Sequence, residues 1–342
     1  MEGQRVSGGG APRERREREI RVVADAVELT RAAAAEVVAA LGASSGSAAA
    51  ARARFPSVAL AGGSTPRALY RLLADPAAPF RARIDWQAVH FFWGDERHVP
   101  PDHPDSNYRM AREAMLDHVD VPAAHVHRIA AEEPDAARAA RRYERELIEV
   151  FGLRREGGNG AEAAGDANAA GGADAAGARG EDATSGEDVP GDADAADDAA
   201  REWPRFDLVL LGLGEEGHTA SLFPGSPLLT DVELPHPSAR VPETGGLQDS
   251  RRRRPRPRRR LAAAVWVEKL ATWRITLTPP VLNHAATVIF LVSGAAKAPA
   301  LAAVLEGERR PELYPAQAVA PVDGRLLWLV DRDAAAQLRS RS

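Results

Sequence analysis

The chain has 342 residues, 44% of them hydrophobic and 27% charged, with a formal net charge of −5 and no cysteine. That length and apolar content suffice for one large core or two small ones. The lack of cysteine excludes a disulfide framework, thiolate catalysis and cysteine–zinc clusters, and it fits a reducing, cytoplasmic setting. No apolar run reaches the roughly 18–20 residues of a membrane span, so no membrane association is expected.

Residues 1–18 carry charges without an apolar stretch and read as a flexible tail, not a secretory signal. IRVVAD (20–25) reads as a strand and is followed by an alanine-rich helix at about 27–42. SVALAG (57–62) is a short apolar strand, and PRALYRLLA (66–74) a helix with Pro66 in its first turn. AVHFFWG (88–94) is a strand. SNYRMAREAML (106–116) is a helix with Ser106 as N-cap, and a further helix spans about 134–151.

Residues 155–203 are mostly Ala, Gly and Asp. From Glu156 to Glu202 there are thirteen acidic and two basic residues. Such a segment buries too little apolar surface to offset its ordering entropy and reads as a disordered insertion. FDLVLLGLG (206–214) is a buried strand by its continuous apolar character. Residues 247–260 form a second insertion, with eight arginines in RRRRPRPRRR. VWVE and RITLT follow as strands, TVIFLVSG (287–294) as another buried strand, KAPALAAVLEG (297–307) as a helix closed by Gly307, and LLWLVD (326–331) as a last strand. This order predicts one α/β domain over 19–337, interrupted by the two insertions. Its expected architecture is a mainly parallel, Rossmann-like sheet with helices on both faces. Ligands of such sheets sit beyond the carboxyl ends of the strands.

Four strand ends carry polar chemistry. In AGGSTP (61–66), Gly62 and Gly63 permit a tight turn, and Ser64 and Thr65 offer donors at a helix start, where anions bind. The Walker spacing and GxGxxG are both absent here. In FFWGDERHVPPDHPDSN (91–107), Asp95, Glu96 and Arg97 follow the strand directly, and a guanidinium there suits a phosphate or carboxylate. His98 and His103 lack a third partner at metal-ligand spacing, so no metal is expected. In GLGEEGHTAS (212–221), His218 stands at the start of a presumed short helix, Thr219–Leu222, whose positive end would keep the imidazole neutral and able to accept a proton. Arg274 begins an alternating strand and shares a face with Thr276. Lys297 starts a helix against the favourable dipole sense.

Taken together, AGGSTP, FWGDERHVPPDHPDSN, GLGEEGHTASLFPG, RITLT and LVSGAAKA closely resemble the 6-phosphogluconolactonases. That family shares a superfamily with glucosamine-6-phosphate deaminases and ribose-5-phosphate isomerases. The resemblance implies that fold type and the hydrolysis of 6-phospho-D-glucono-1,5-lactone in the oxidative pentose phosphate pathway, without a cofactor. It implies His218 as catalytic base, with Glu216 and Asp95 beside it. Gly63, Ser64, Thr65, Arg97 and Arg274 are implied as substrate contacts, chiefly to the phosphate. Glu216 departs from the aspartate the family commonly has at that place. A deaminase on the same fold would continue differently after the histidine. The Arg run could grip nucleic acid non-specifically, yet no DNA-binding motif accompanies it. A contact between the Arg run and the acidic insertion is the simpler expectation.

Overall fold

The computed structural model describes residues 18–43, 55–153, 203–229 and 260–339. Residues 1–17 of the expected tail, 155–202 of the acidic insertion and 247–259 of the Arg-rich loop lie outside them.

The elements run β1 (Glu19–Val23), α1 (Ala26–Ala43), β2 (Ser57–Leu60), α2 (Ser64–Ala74), β3 (His90–Trp93), β4 (Asp95–Arg97), α3 (Asn107–Ala114), α4 (Ala136–Val150), β5 (Leu208–Gly212), β6 (Ala262–Val267), β7 (Thr272–Leu277), α5 (Pro279–Asn283), β8 (Thr287–Val292), α6 (Ala298–Glu306) and β9 (Arg325–Asp331). Six strands make one sheet in the order β1-β9-β8-β5-β2-β3, with every pairing parallel. In β2, and from Val288 to Val292 in β8, every residue is buried. Consecutive side chains point to opposite faces, so both faces of these strands are covered. This is why their sequences read as unbroken apolar runs.

A second, antiparallel sheet of order β4-β7-β6 was not expected. Its partners lie far apart in sequence: Asp95 pairs with Thr276, Glu96 with Ile275 and Arg97 with Arg274. Residues 95–97, which directly follow β3 and Gly94, therefore form a strand of their own. Gly94 joins the two sheets, its N–H donating to Leu60 O (2.9 Å) and its carbonyl accepting from Leu277 N–H (2.8 Å).

The strand order also locates the cleft. From β2 the chain proceeds outward to β3. From β5 it proceeds the other way, to β8 and β9. β2 and β5 are paired neighbours, so the crevice at a topological switch opens beyond their carboxyl ends. Those ends are the AGGSTP turn and the GLGEEGH turn.

Candidate active site

The AGGSTP turn follows β2. Gly63 has φ 107°, and α2 begins directly after it at Ser64 without a side-chain cap. The helix thus starts two residues before Pro66, and Ser64 and Thr65 are its first two residues. Uncapped amides at a helix start form a site of partial positive charge. Gly62 is required for a different reason. A Cβ there would lie 1.9 Å from Asn107 Oδ1.

β4 supplies Asp95 and Arg97 to one face of the small sheet and Glu96 to the other. Glu96 is buried, and its carboxylate accepts from the Asn107 (2.7 Å) and Tyr108 (2.8 Å) amides, the Arg97 amide (2.8 Å) and Ser106 Oγ (3.0 Å). It therefore belongs to the cap of α3, alongside Ser106, whose Oγ accepts from Arg109 N–H. Burial pushes the Glu96 carboxyl up, and these four donors pull it back.

Because opposed residues of an antiparallel pair share a face, Asp95, Arg97, Arg274 and Thr276 stand together. Arg97 Nη1 donates to Asp105 O at 2.5 Å. The Nε atoms of Arg97 and Arg274 are both buried, and neither has a partner among the described residues. Burial and the neighbouring Arg97 charge both pull the Arg274 guanidinium below its ordinary range. Two like charges with buried, unused donors are costly unless an anion joins them. Among the described residues Asp95 hydrogen-bonds Ser221 and Asn107. Its Oδ2 accepts from Ser221 Oγ (2.6 Å), its Oδ1 from Asn107 Nδ2 (3.3 Å), and its backbone carbonyl from the same Nδ2 (2.9 Å).

The GLGEEGH turn follows β5. The short helix expected over Thr219–Leu222 is absent. The chain makes a tight turn there, with Leu222 N–H donating to Thr219 O (2.9 Å) and Ala220 held left-handed at φ 47°. Thr219 Oγ1 donates back to Gly212 O (2.8 Å), competing with a helical continuation. A left-handed alanine costs about 1 kcal/mol or more. The turn it makes delivers Ser221 to Asp95. No helix dipole therefore acts on His218. Burial instead lowers the affinity of its imidazole for a proton, while Glu216 and Asp95 oppose this and Lys297 adds to it.

His218 Nδ1 is buried and 3.2 Å from Glu216 Oε2. The ring stacks on Phe223 at 4.3 Å and 23°. The side chain remains 27% exposed. With Nδ1 enclosed, Nε2 is the ring nitrogen left for proton exchange. Gly214 makes this packing possible, since a Cβ there would sit 1.9 Å from Nδ1. Gly217, at φ 80°, passes against Tyr314, and its carbonyl accepts from Ala316 N–H (3.0 Å). Two of the turn's amides are already used: Gly214 N–H donates to His218 O and Gly217 N–H to Gly214 O.

The structure thus gathers Asp95, Arg97, Arg274, Glu216 and His218 in one region, with Gly63, Ser64 and Thr65 on the adjacent strand end. Lys297 reaches in through Glu215, at 3.9 Å. His98 and His103 go elsewhere: His98 Nε2 is 2.7 Å from Glu133 O, and His103 is beside Asp105. Sequence reasoning missed Asn107, Ser221, Phe223 and Tyr314. Only Asn107 carried a signal, since it directly follows the N-cap serine in DSNY.

The fold and this site define an α/β enzyme with two paired arginines and a partly enclosed histidine beside one cleft. A family model described as glucosamine-6-phosphate isomerases/6-phosphogluconolactonase matches residues 24–328. The chain is 35% identical over 282 residues to the 6-phosphogluconolactonase of Synechocystis sp., covering 82% of this chain and 84% of that one. It is also 35% identical over 287 residues to that of Mycobacterium tuberculosis, covering 83% and 85%. A solved 6-phosphogluconolactonase from Trypanosoma brucei superposes with a TM-score of 0.63 at 26% identity, covering 94% of this chain and 99% of that one. The chain belongs to the glucosamine-6-phosphate isomerase/6-phosphogluconolactonase family, on its 6-phosphogluconolactonase side.

Among the described residues no helix is long and apolar enough to cross a membrane.

Proposed function

We propose that the chain hydrolyses 6-phospho-D-glucono-1,5-lactone to 6-phospho-D-gluconate, the lactonase step of the oxidative pentose phosphate pathway, in the cytoplasm. The observation that carries the reading is the pairing of Arg97 and Arg274, with buried, unused Nε donors, beside the turn that holds His218. An anionic substrate tail satisfies those donors. The Rossmann-like layering is part of the same reading, supported by strands buried on both faces.

A lactone is an acyl group already set up for attack, so water suffices as nucleophile. His218 Nε2 takes a proton from water as its oxygen bonds to the lactone carbonyl carbon. The carbonyl oxygen becomes an oxyanion. With the Gly214 and Gly217 amides spent and the Glu216 amide engaged by its own carboxylate, we assign the oxyanion to the Glu215 and His218 amides of this turn. The bond from that carbon to the ring oxygen then breaks, and the imidazolium returns its proton to the departing alkoxide. Glu216 supports the transient imidazolium at Nδ1. Asp95 acts one step back, fixing Ser221 and with it the His218 turn. The two arginines and the α2 amides convert phosphate binding into orientation of the carbonyl.

The test is hydrolysis of freshly prepared lactone against its spontaneous opening. His218→Ala lowers kcat by about 10²–10⁴-fold with an unchanged circular dichroism spectrum. Near-normal turnover by that variant removes His218 from the mechanism.

A further inference from the structure

The turn between β6 and β7 spans Glu268–Leu270 and carries Lys269. Its Nζ lies 3.3 Å from Glu216 Oε1, while Oε2 of the same carboxylate lies 3.2 Å from His218 Nδ1. One carboxylate is therefore stretched between a lysine from the hairpin and the imidazole, one oxygen to each. We propose that Lys269 is a positioning residue for His218, holding one oxygen of Glu216 so that the other stays against Nδ1 and the Nε2 lone pair faces the cleft. The proposal rests on the reading of His218 as general base.

Three observations support it. The GLGEEGH turn has adjacent acids, and each takes a different lysine from a different element. Glu215 pairs with Lys297, ahead of α6, and Glu216 with Lys269. The two lysines are thus not interchangeable. Next, the hairpin turn is closed by Ala271 in the left-handed conformation, φ 45° and ψ 44°, with its N–H donating to Glu268 O at 3.1 Å. Alanine adopts this conformation only at a cost, and here it fixes the turn that presents Lys269. Finally, Nδ1 has no hydrogen-bond partner among the described residues that would hold the tautomer in place of Glu216. The charged groups around His218 are Glu216 on its own turn, Asp95 on β4 and Lys297 before α6. Of these only Glu216 reaches Nδ1 in an ion-pair contact.

The departure from aspartate acquires a reason. A carboxylate with one more methylene spans the gap from its backbone to both partners. Lys269 is largely exposed, so its effect is modest and screened by salt.

The experiment compares wild type with Lys269→Met, Lys269→Arg, Glu216→Gln and the Lys269→Met/Glu216→Gln pair. Imidazole ¹⁵N shifts of His218 in the free protein report the tautomer, and steady-state kinetics report kcat and KM separately. Lys269→Met is expected to lose the dominant Nδ1–H tautomer and to lower kcat about threefold to fivefold, leaving KM unchanged because Arg97 and Arg274 are untouched. Lys269→Arg restores both readouts, and Lys269→Met has no further effect once Glu216 is Gln. Wild-type shifts in Lys269→Met, or losses that add to those of Glu216→Gln, overturn the proposal. If wild type itself does not exceed spontaneous opening, the lactonase reading fails, and the ¹⁵N shifts still decide the role of Lys269.

Discussion

Arg97 and Arg274 face each other as direct register partners across the antiparallel β4–β7 ladder. They are held together by backbone pairing and pushed apart by charge, with buried Nε atoms left unused. Under the proposed reading a substrate phosphate joins the two guanidinium groups, and the pair is expected to be more stable with it bound. Arg274→Met therefore raises KM for the phosphorylated lactone by about tenfold or more while leaving the melting temperature level or slightly higher, because it removes a like charge. A fall in melting temperature with unchanged KM would show that Arg274 serves the fold and not the substrate. Inorganic phosphate is the simplest partner for a thermal-shift comparison of the two proteins.

The pH dependence follows from His218. Burial depresses its proton affinity, and Glu216 partly restores it. A general base must be neutral, so the acid limb of kcat/KM is expected below the ordinary histidine range. Glu216→Gln removes the restoring charge. The limb then moves to still lower pH, while the plateau falls because the ring loses its orienting partner. A limb that moves upward contradicts this electrostatic assignment.

Gly214 allows a sharper steric test. A methyl group there would occupy the position of His218 Nδ1, at 1.9 Å. The obstructed atom belongs to a side chain that can rotate. Gly214→Ala is thus expected to leave the melting temperature near wild type and to reduce kcat by at least about tenfold, through ring displacement. Normal kcat would mean that the ring position is not needed for turnover.

At the amino end of β3, far from this chemistry, three imidazoles meet. His90 Nδ1 is 2.9 Å from His127 Nε2, His127 Nδ1 is 2.9 Å from Glu146 Oε1, and His125 stacks on His90 at 3.9 Å. Burial, with His125 and His127 nearby, pushes His90 down to about 4. The unfolded chain titrates His90 near its ordinary value, so between about 6.5 and 4 it binds the extra proton and the folded protein does not. The stabilisation from neutral His90 is complete above that window and is lost as pH falls through it. Melting temperatures measured from pH 7 to pH 4 are expected to fall, and His90→Gln to flatten the decline. An identical slope in the variant would place the acid sensitivity elsewhere.

Much of this architecture could be read from residue order alone. The parallel strands are short apolar runs closed by glycine or polar residues, and their helices carry ordinary start signals, such as Ser106 before α3. That ligands sit beyond the carboxyl ends of the strands follows from the alternation of strands and helices, whereas the switch point needed the strand order. The second sheet could not be read in this way. Asp95–Arg97 is three charged residues, and its partner strand lies more than 170 positions onward, so no local period betrays it. The error at Thr219–Leu222 has a similar origin. The small residues there suit a helix start, but Thr219 spends its hydroxyl on Gly212 O and Ala220 turns left-handed. From sequence, the lowered proton affinity of His218 is assigned to a helix dipole; burial is what lowers it, against Glu216 and Asp95. Asn107 and Ser221 both hydrogen-bond Asp95, a meeting in space that no sequence spacing announces.

The interleaved strand order has one more consequence. β1, β2 and β3 precede residue 153, and β5, β8 and β9 follow residue 203, yet β1 lies against β9 at one end and β2 against β5 in the middle. A polypeptide severed between those positions is expected to yield two pieces that clasp each other, the first gripping the second from both flanks. Ser64, Asp95 and Arg97 travel with the former; His218, Lys269 and Arg274 with the latter. Neither piece owns a complete pocket, so regained turnover on mixing them is a direct gauge of how well the halves have interlocked.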